Sequence, residues 1–275
     1  LLFTFRRPKT ANLPVPAGQT GRIPSAAALA NSGALGPLLL IVGLGFLAST
    51  SLVNIGSDSV GHLNRIYAVS DLPAGRIIAL PGQKGSQARI LGPGFHVIPF
   101  VNVLYKVEQY PVITIPDGSY GEITALDGAP MPEGMFIATQ IPDDRVSAML
   151  DAETFLTQGG VKGPQETVLK PGSYRLNRYL FRVNVSERTR ATVIPAGSVG
   201  VVKSNALKPN TVCVEEKVAA AAQGTRIEGA LTVPLVPRGC IGIWKEPLLP
   251  GAYYLNRQAY EVTLIDTRVR TEVYK

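Results

Sequence analysis

The side chains able to do chemistry are few and far apart. Of the two histidines, His62 and His96, the second lies in the segment GPGFHVIP, with no Asp, Glu, Cys or second His near it. A general acid–base or a metal ligand needs such partners within reach, so His96 reads as a structural residue beside a turn. The pairs Asp143-Asp144 and Glu215-Glu216 could transfer protons or bind a cation. Neither has the spacing of a calcium loop, and a helix cap or a solvated face accounts for them. Asp266 with Arg268 and Arg270 could pair across strands or subunits, and plain exposed alternation explains them as well. Ser198, in PAGSVGVV, lacks the GxSxG elbow of a nucleophilic serine and reads as a turn residue. No GxxxxGK[ST] phosphate loop occurs. Cys213 and Cys240 stand alone, which excludes a disulfide framework and a Cys-rich zinc site. One bond between them stays open if the body is extracytoplasmic. The expectation is no catalytic, cofactor-binding or metal residue, no cofactor, and no enzyme.

The elements that would position any site are turn-rich. The chain has 275 residues, 45% hydrophobic and 17% charged, below the roughly 25% usual for charge. Twenty-eight Gly and 22 Pro argue against a helical bundle and for short strands joined by turns. The net charge of +7 is uneven. Arg6, Arg7, Lys9 and Arg22 stand without an acid in residues 1–22, and the remainder is nearly balanced. No basic stripe with interleaved aromatics appears, so no nucleic acid partner is expected.

From Ile23 to Ser57 no residue is charged. Within that run, residues 33–55 are read as a transmembrane helix of roughly 34 Å, against a hydrocarbon core of about 30 Å. Pro37 suits a first turn, and Leu38, Leu39, Leu40, Ile41, Val42, Leu44, Phe46 and Leu47 supply the lipid-facing anchor. Residues 1–32 form a basic arm before it. Only Arg65 is positive shortly after the span. The positive-inside rule then puts the N-terminus in the cytoplasm and the rest outside, as a single-pass membrane protein.

Self-comparison reveals a repeat. LGPGFHVIPFVNVLYKV starts at Leu91, LKPGSYRLNRYLFRVNV at Leu169 and LLPGAYYLNRQAYEVTL at Leu248. Their turn glycines, Gly94, Gly172 and Gly251, follow Pro93, Pro171 and Pro250 and recur at 78 and 79 residues. Pro-Gly favours a type II turn, with Pro presetting φ and Gly accepting φ > 0. A second landmark, IPDGSYG at Ile115 and IPAGSVG at Ile194, recurs at 79. Alternating apolar residues after each turn predict half-buried antiparallel strands. The modules are drawn at 64–115, 116–194 and 195–264, with residues 265–275 as the start of a further module, cut short. Asp143–Gln158 is read as a short helix capped by Asp143 or Asp144, with Val146, Met149, Leu150 and Phe155 on one face and Gly159-Gly160 at its end. Thr211–Gln223 could be helix or strand. The fold class is mainly β (α+β): an N-terminal transmembrane helix, then tandem small antiparallel modules with short helical inserts.

GPGFHVIPFVNVLYKV after an apolar anchor resembles the entry motif of the SPFH (stomatin, prohibitin, flotillin; band 7) family. IDTRVRTEVY at Ile265–Tyr274 resembles that family's following strand. The tandem PGxYxLN copies resemble its large flotillin-like members and, more distantly, vault shell repeats. No heptad run for the family's usual coiled coil is present in this sequence. The resemblance implies a non-catalytic, membrane-anchored scaffold. Such a scaffold oligomerises into a large ring or cage, organises a lipid microdomain, and encloses or regulates membrane proteins, including proteases. The implied partners are membrane lipids, many copies of itself, and a membrane-protein client or protease. The alternative from the residues is a membrane-anchored adaptor or accessory subunit of a larger membrane complex, since small residues on the span and exposed strand edges would serve it equally.

Overall fold

Alternation of apolar and polar residues between Gly- and Pro-rich turns makes strand the main regular structure of the described residues. The computed structural model describes residues 35–208, 211–219 and 232–268. It divides into two compact units, 1–49 and 50–275.

In the first unit the described residues belong to helix α1, Leu35–Ser51, 17 residues without a charge. Pro37 sits in its first turn, and Leu38 to Leu47 of the expected anchor are 42–66% exposed. Among the described residues no helix is long and apolar enough to cross a membrane. The expected span of 33–55 is corrected at its end: the helix stops at Ser51, and Leu52–Ile55 is a strand. There Ile55 turns inward, 2% exposed, and the backbone finds partners in a ribbon. Residues 33 and 34, and the arm 1–32, lie outside the described residues.

The second unit is three copies of one pattern. The first comprises β1 (Leu52–Ile55), β2 (Ser59–Arg65), β3 (Ile78–Ala79), β4 (Gly85–Leu91), β5 (Gly94–Val97), α2 (Val101–Leu104) and β6 (Tyr105–Pro111). The second comprises β7 (Ile113–Ile115), β8 (Gly121–Ala125), a 3-10 turn Asp143–Arg145, α3 (Val146–Leu150), α4 (Ala152–Thr157), β9 (Gly163–Leu169), β10 (Gly172–Tyr174) and β11 (Phe181–Asn184). The third comprises β12 (Thr192–Ile194), β13 (Ser198–Ser204), β14 (Glu216–Ala219), β15 (Thr232–Val236), β16 (Gly242–Trp244), β17 (Gly251–Tyr253) and β18 (Tyr260–Asp266).

In each copy the opening strand pairs with the strand after Pro-Gly, giving ribbons β1–β5, β7–β10 and β12–β17. The next strand is the centre of a sheet. β2 lies between β4 and β6, β8 between β9 and β11, and β13 between β16 and β18, all antiparallel. Two pairings are parallel, β3–β4 and β15–β16, so the sheets are mixed where antiparallel ones were expected.

Strand pairing groups 52–111, 113–184 and 192–266, whereas the sequence reading cuts at 64, 116 and 195. The reason is the second landmark. The sequence boundaries fall inside IPDG and IPAG, after Ile115 and Ile194; here those segments are internal turns joining ribbon to sheet. The landmark also has a third copy, Ile55–Gly61 (IGSDSVG), which gives module 1 its start. Its signature is Ile followed six residues later by Gly. A Cβ on Gly61, Gly121 or Gly200 would stand 2.6, 2.8 and 2.6 Å from Cδ1 of Ile55, Ile115 and Ile194. The isoleucine folds back over its own strand and leaves room only for hydrogen.

Asp143–Gln158, expected as one helix capped by Asp143 or Asp144, is a 3-10 turn and two short helices broken at Asp151. Asp151 is the cap: its Oδ1 accepts from Thr154 N at 2.8 Å. Asp143 instead pairs with Lys170 at 2.5 Å. The break lets Met149, Ala152, Phe155 and Leu156 face one core together with Ile115, Ile123, Leu169 and Phe181. Within Thr211–Gln223, residues 211–215 have no regular structure and Glu216–Ala219 form β14; residues 220–223 lie outside the described residues. The further module at 265–275 falls mainly on residues 269–275, outside the described residues.

Candidate functional site: the joints between modules

The described structure brings no catalytic constellation together. Among the described residues there is no group of three or more His, Cys, Asp or Glu that could hold a metal. His96 Nε2 bonds the Gly92 carbonyl at 2.8 Å. At the same position of the next copies, the Tyr174 hydroxyl donates to the Lys170 carbonyl and that of Tyr253 to the Leu249 carbonyl, at 2.8 and 2.9 Å. His96 is therefore the first copy's version of a turn clip. Glu215 is exposed, Glu216 is paired with Lys245, and Asp266 takes Arg268 in a fork with both contacts at 3.1 Å. Arg270 lies outside the described residues. Ser198 opens β13, its backbone N–H bonded to the Pro195 carbonyl at 3.2 Å. Pro93, Pro171 and Pro250 precede Gly94, Gly172 and Gly251, which open β5, β10 and β17 at φ of 109°, 148° and 159°. Cys213 and Cys240, left open by sequence, are bonded, with Cα atoms 5.8 Å apart.

Seven of the buried polar side chains, His62, Gln87, Asp127, Gln165, Glu166, Asn177 and Asn256, gather instead where one module meets the next. Asn177 and Asn256 end the PGxYxLN motif, and both are buried. Nδ2 of Asn177 donates to the carbonyls of Gln87 and Ala88 in module 1, at 2.8 and 2.9 Å. Nδ2 of Asn256 donates to the Gln165 carbonyl in module 2, at 2.8 Å. Each Oδ1 meanwhile caps the asparagine's own corner, accepting from Tyr179 N and from Gln258 N. The receiving strands, β4 and β9, are also prepared alike. Gln87 Nε2 bonds the carbonyls of Gln83 and Gly85, and Gln165 Nε2 those of Val161 and Gly163. At the third copy Trp244 Nε1 takes the role, bonding the Cys240 carbonyl at 3.2 Å. In module 1, which follows α1, the corner position is Pro99, without the amide.

Further contacts differ between the joints. At the first, His62 is 1% exposed, and its Nε2 accepts from the Arg178 backbone N–H at 2.9 Å. Its ring meets Tyr110 and Tyr179 edge-on at 5.0 and 5.1 Å. Glu108 accepts from the hydroxyls of Tyr110 and Tyr179 and pairs with Lys106 at 2.7 Å. Lys106, then the two tyrosines, hold the Glu108 carboxyl down at about 2. Asp127, 1% exposed, accepts from Ile77 N and Ile78 N across the joint at 2.7 and 2.8 Å and from Gly128 N, and pairs with Arg76 at 3.0 Å. Burial works against its charge, yet these donors outweigh burial and leave its carboxyl below the ordinary value. At the second joint the Tyr260 hydroxyl donates to buried Glu166, whose other oxygen accepts from Gln140 N at 3.1 Å. Burial first, then Glu166, raises the Tyr260 hydroxyl well above its usual range. Apolar packing crosses both joints as well: Ile78 and Ala88 of module 1 belong to the module 2 core, and Ile137 of module 2 to the module 3 core.

The motif PGxYxLN is plain in the sequence, but the joint its asparagine makes is not. The signal was present in the exchange of Asn for Pro99 in the first copy. The acceptors are backbone carbonyls, which no residue pattern announces. Comparison with family models, with curated proteins and with solved structures finds no match for this chain.

Proposed function

We propose that this protein is a membrane-anchored scaffold of the SPFH kind, which oligomerises into a large ring or cage and organises a membrane microdomain or encloses membrane proteins. The observation that carries the reading is α1. Eight large apolar side chains from Leu38 to Leu47, 42–66% exposed, precede a row of modules whose buried polar groups serve joints rather than chemistry. A helix apolar on every side is suited to lipid. Its 17 described residues are at the short end of the roughly 17–25 that span a bilayer, and the uncharged sequence runs on from Ile23 to Ala34 before it. The latched modules supply a stiff, non-catalytic body. The Cys213–Cys240 bond supports an oxidising compartment for that body, in line with an N-terminal arm retained in the cytoplasm by its four positive charges.

Electron microscopy of the protein extracted in mild detergent tests the assembly. Closed rings or cages of this one chain are the expected outcome. Small monomeric particles, or the chain bound once or twice to another complex, would remove the ring and favour the adaptor.

A further inference from the structure

We infer that the β1–β5 ribbon of module 1, with the turn that follows it, is a lipid-seating surface that rests in the interfacial layer of the bilayer. The inference rests on the reading of α1 as a membrane anchor and adds to it a second, non-helical contact with lipid.

The repeat supplies an internal control. Phe95 and Val97 of β5 are 80% and 73% exposed. Counted from the turn glycine, the same positions hold Ser173 and Arg175 in module 2, and Ala252 and Tyr254 in module 3. The ribbon geometry asks for no apolar residue there, so the burial of the fold does not explain Phe95 and Val97. The register sets Leu52 opposite Val97 and Asn54 opposite Phe95. These four share the outward face of the ribbon, because side chains alternate, while Val53 packs with Ile55 on the core face. The turn adds Phe100 and Val103, 41% and 45% exposed. Phe100 is the one non-glycine described residue at positive φ, 55°, a strained backbone that keeps an aromatic ring at the surface.

Charge follows the same division. From Ile90 to Tyr105 there is no Asp, Glu, Lys or Arg. The corresponding stretch of module 2 carries Lys170, Arg175 and Arg178, and that of module 3 carries Arg257. Position then selects the partner. Ile98 N–H bonds the Ser51 carbonyl at 2.9 Å, Phe100 N–H bonds Ser51 Oγ at 3.1 Å, and Asn102 Nδ2 bonds the Leu52 carbonyl at 3.1 Å. The apolar turn is thus pinned to the residues at which α1 ends. The exposed apolar surface is continuous along the chain with the helix proposed to lie in lipid, and aromatic and aliphatic side chains just beyond a span sit in the interfacial region. This continuity favours a bilayer over a second copy as the occupant.

The test uses the full chain in nanodiscs of phosphatidylcholine and phosphatidylglycerol, with and without lipids brominated near the top of the acyl chain. Phe95→Trp reports the ribbon, Ser173→Trp the equivalent place in module 2, and Leu40→Trp the helix. The native Trp244, 4% exposed, is a common background. The expected result is at least twofold quenching of the added emission for Phe95→Trp and Leu40→Trp, and none for Ser173→Trp. Quenching at Leu40→Trp without quenching at Phe95→Trp overturns the ribbon seat and leaves the anchor standing. No quenching at either position overturns both. The paired exchange Phe95→Ser with Val97→Arg, residues that module 2 already carries in this ribbon, is expected to fold and to lose the nanodisc-dependent protection of residues 94–104 from hydrogen exchange. Unchanged protection would mean that something other than lipid covers the ribbon, and would overturn the proposal.

Discussion

His62 has no spare hydrogen-bonding capacity. Its Nδ1 lies 3.3 Å from the Val60 carbonyl, and its Nε2 accepts from Arg178 N, which fits the neutral ring protonated on Nδ1. A second proton would turn the acceptor into a donor aimed at an N–H. Burial is the main cause that lowers its pKa below 6.5; Arg178 lowers it further, while the Val60 carbonyl and Glu108 oppose. The unfolded chain then takes up a proton before the folded one does. The stabilisation is complete above about 6.5 and is lost as pH falls from there towards the depressed folded value. Urea midpoints are expected to fall between pH 7.5 and pH 5, and His62→Gln, which can offer an oxygen to Arg178, should flatten that dependence; an equal slope in the variant would show that other groups set it. Asn177 is the other key residue of this joint. Asn177→Ala takes this partner from the Gln87 and Ala88 carbonyls and from the Tyr179 N–H, and should cost about 2–3 kcal/mol in chemical denaturation. A loss within 0.5 kcal/mol would mean that apolar packing alone holds the joint.

At the scale of elements, the β1–β6, β7–β11 and β12–β18 groups follow from short patterns, and two of them were plain in the sequence. The Pro-Gly turns and the alternation after them mark the strand following each turn and the last strand of each copy, but not the opening strand that pairs with it in the ribbon. Three features stayed hidden. The landmark of module 1, IGSDSVG, has Gly56 where the others have Pro, so its kinship with IPDGSYG and IPAGSVG shows only once the Ile–Gly contact is seen. The apolar run through Ile55 reads as one helix, because hydropathy cannot tell an exposed helix leucine from Ile55 folded over Gly61. The break at Asp151 is set by a cap and by the core it lets Phe155 reach, where Phe155 meets Phe181 at 5.1 Å. The Ile–Gly contact makes its own prediction. In Gly121→Ala the new methyl would lie 2.8 Å from both Ile115 Cδ1 and Val183 Cγ1, overpacking that costs about 2 kcal/mol. Adding Ile115→Val removes one of the two clashing methyls and should recover part of the loss. If the double variant were no more stable than the sum of the single ones, the isoleucine would not be the reason for glycine.

For the β body as a whole, stability passes along a row. The polar ties run from module 2 to module 1 through Asn177, Asp127 and His62, and from module 3 to module 2 through Asn256 and Tyr260. In such an arrangement each module gains from its neighbours. Module 3 also carries the Cys213–Cys240 bond, which closes a 27-residue separation beside Trp244 and the buried end of β15. In the chain-entropy account a loop of that length is worth about 3 kcal/mol. Reduction, or the pair Cys213→Ser with Cys240→Ser, is therefore expected to lower stability by about that amount and to do so unevenly. Hydrogen exchange should rise first in β13, β16 and β18, then in β9, which receives Asn256, and last in β2 and β4. Uniform acceleration through all three sheets would instead mean that the row unfolds as one cooperative block. The joints would then act as rigid cement, and a bond in module 3 would set the stability of the strands of module 1.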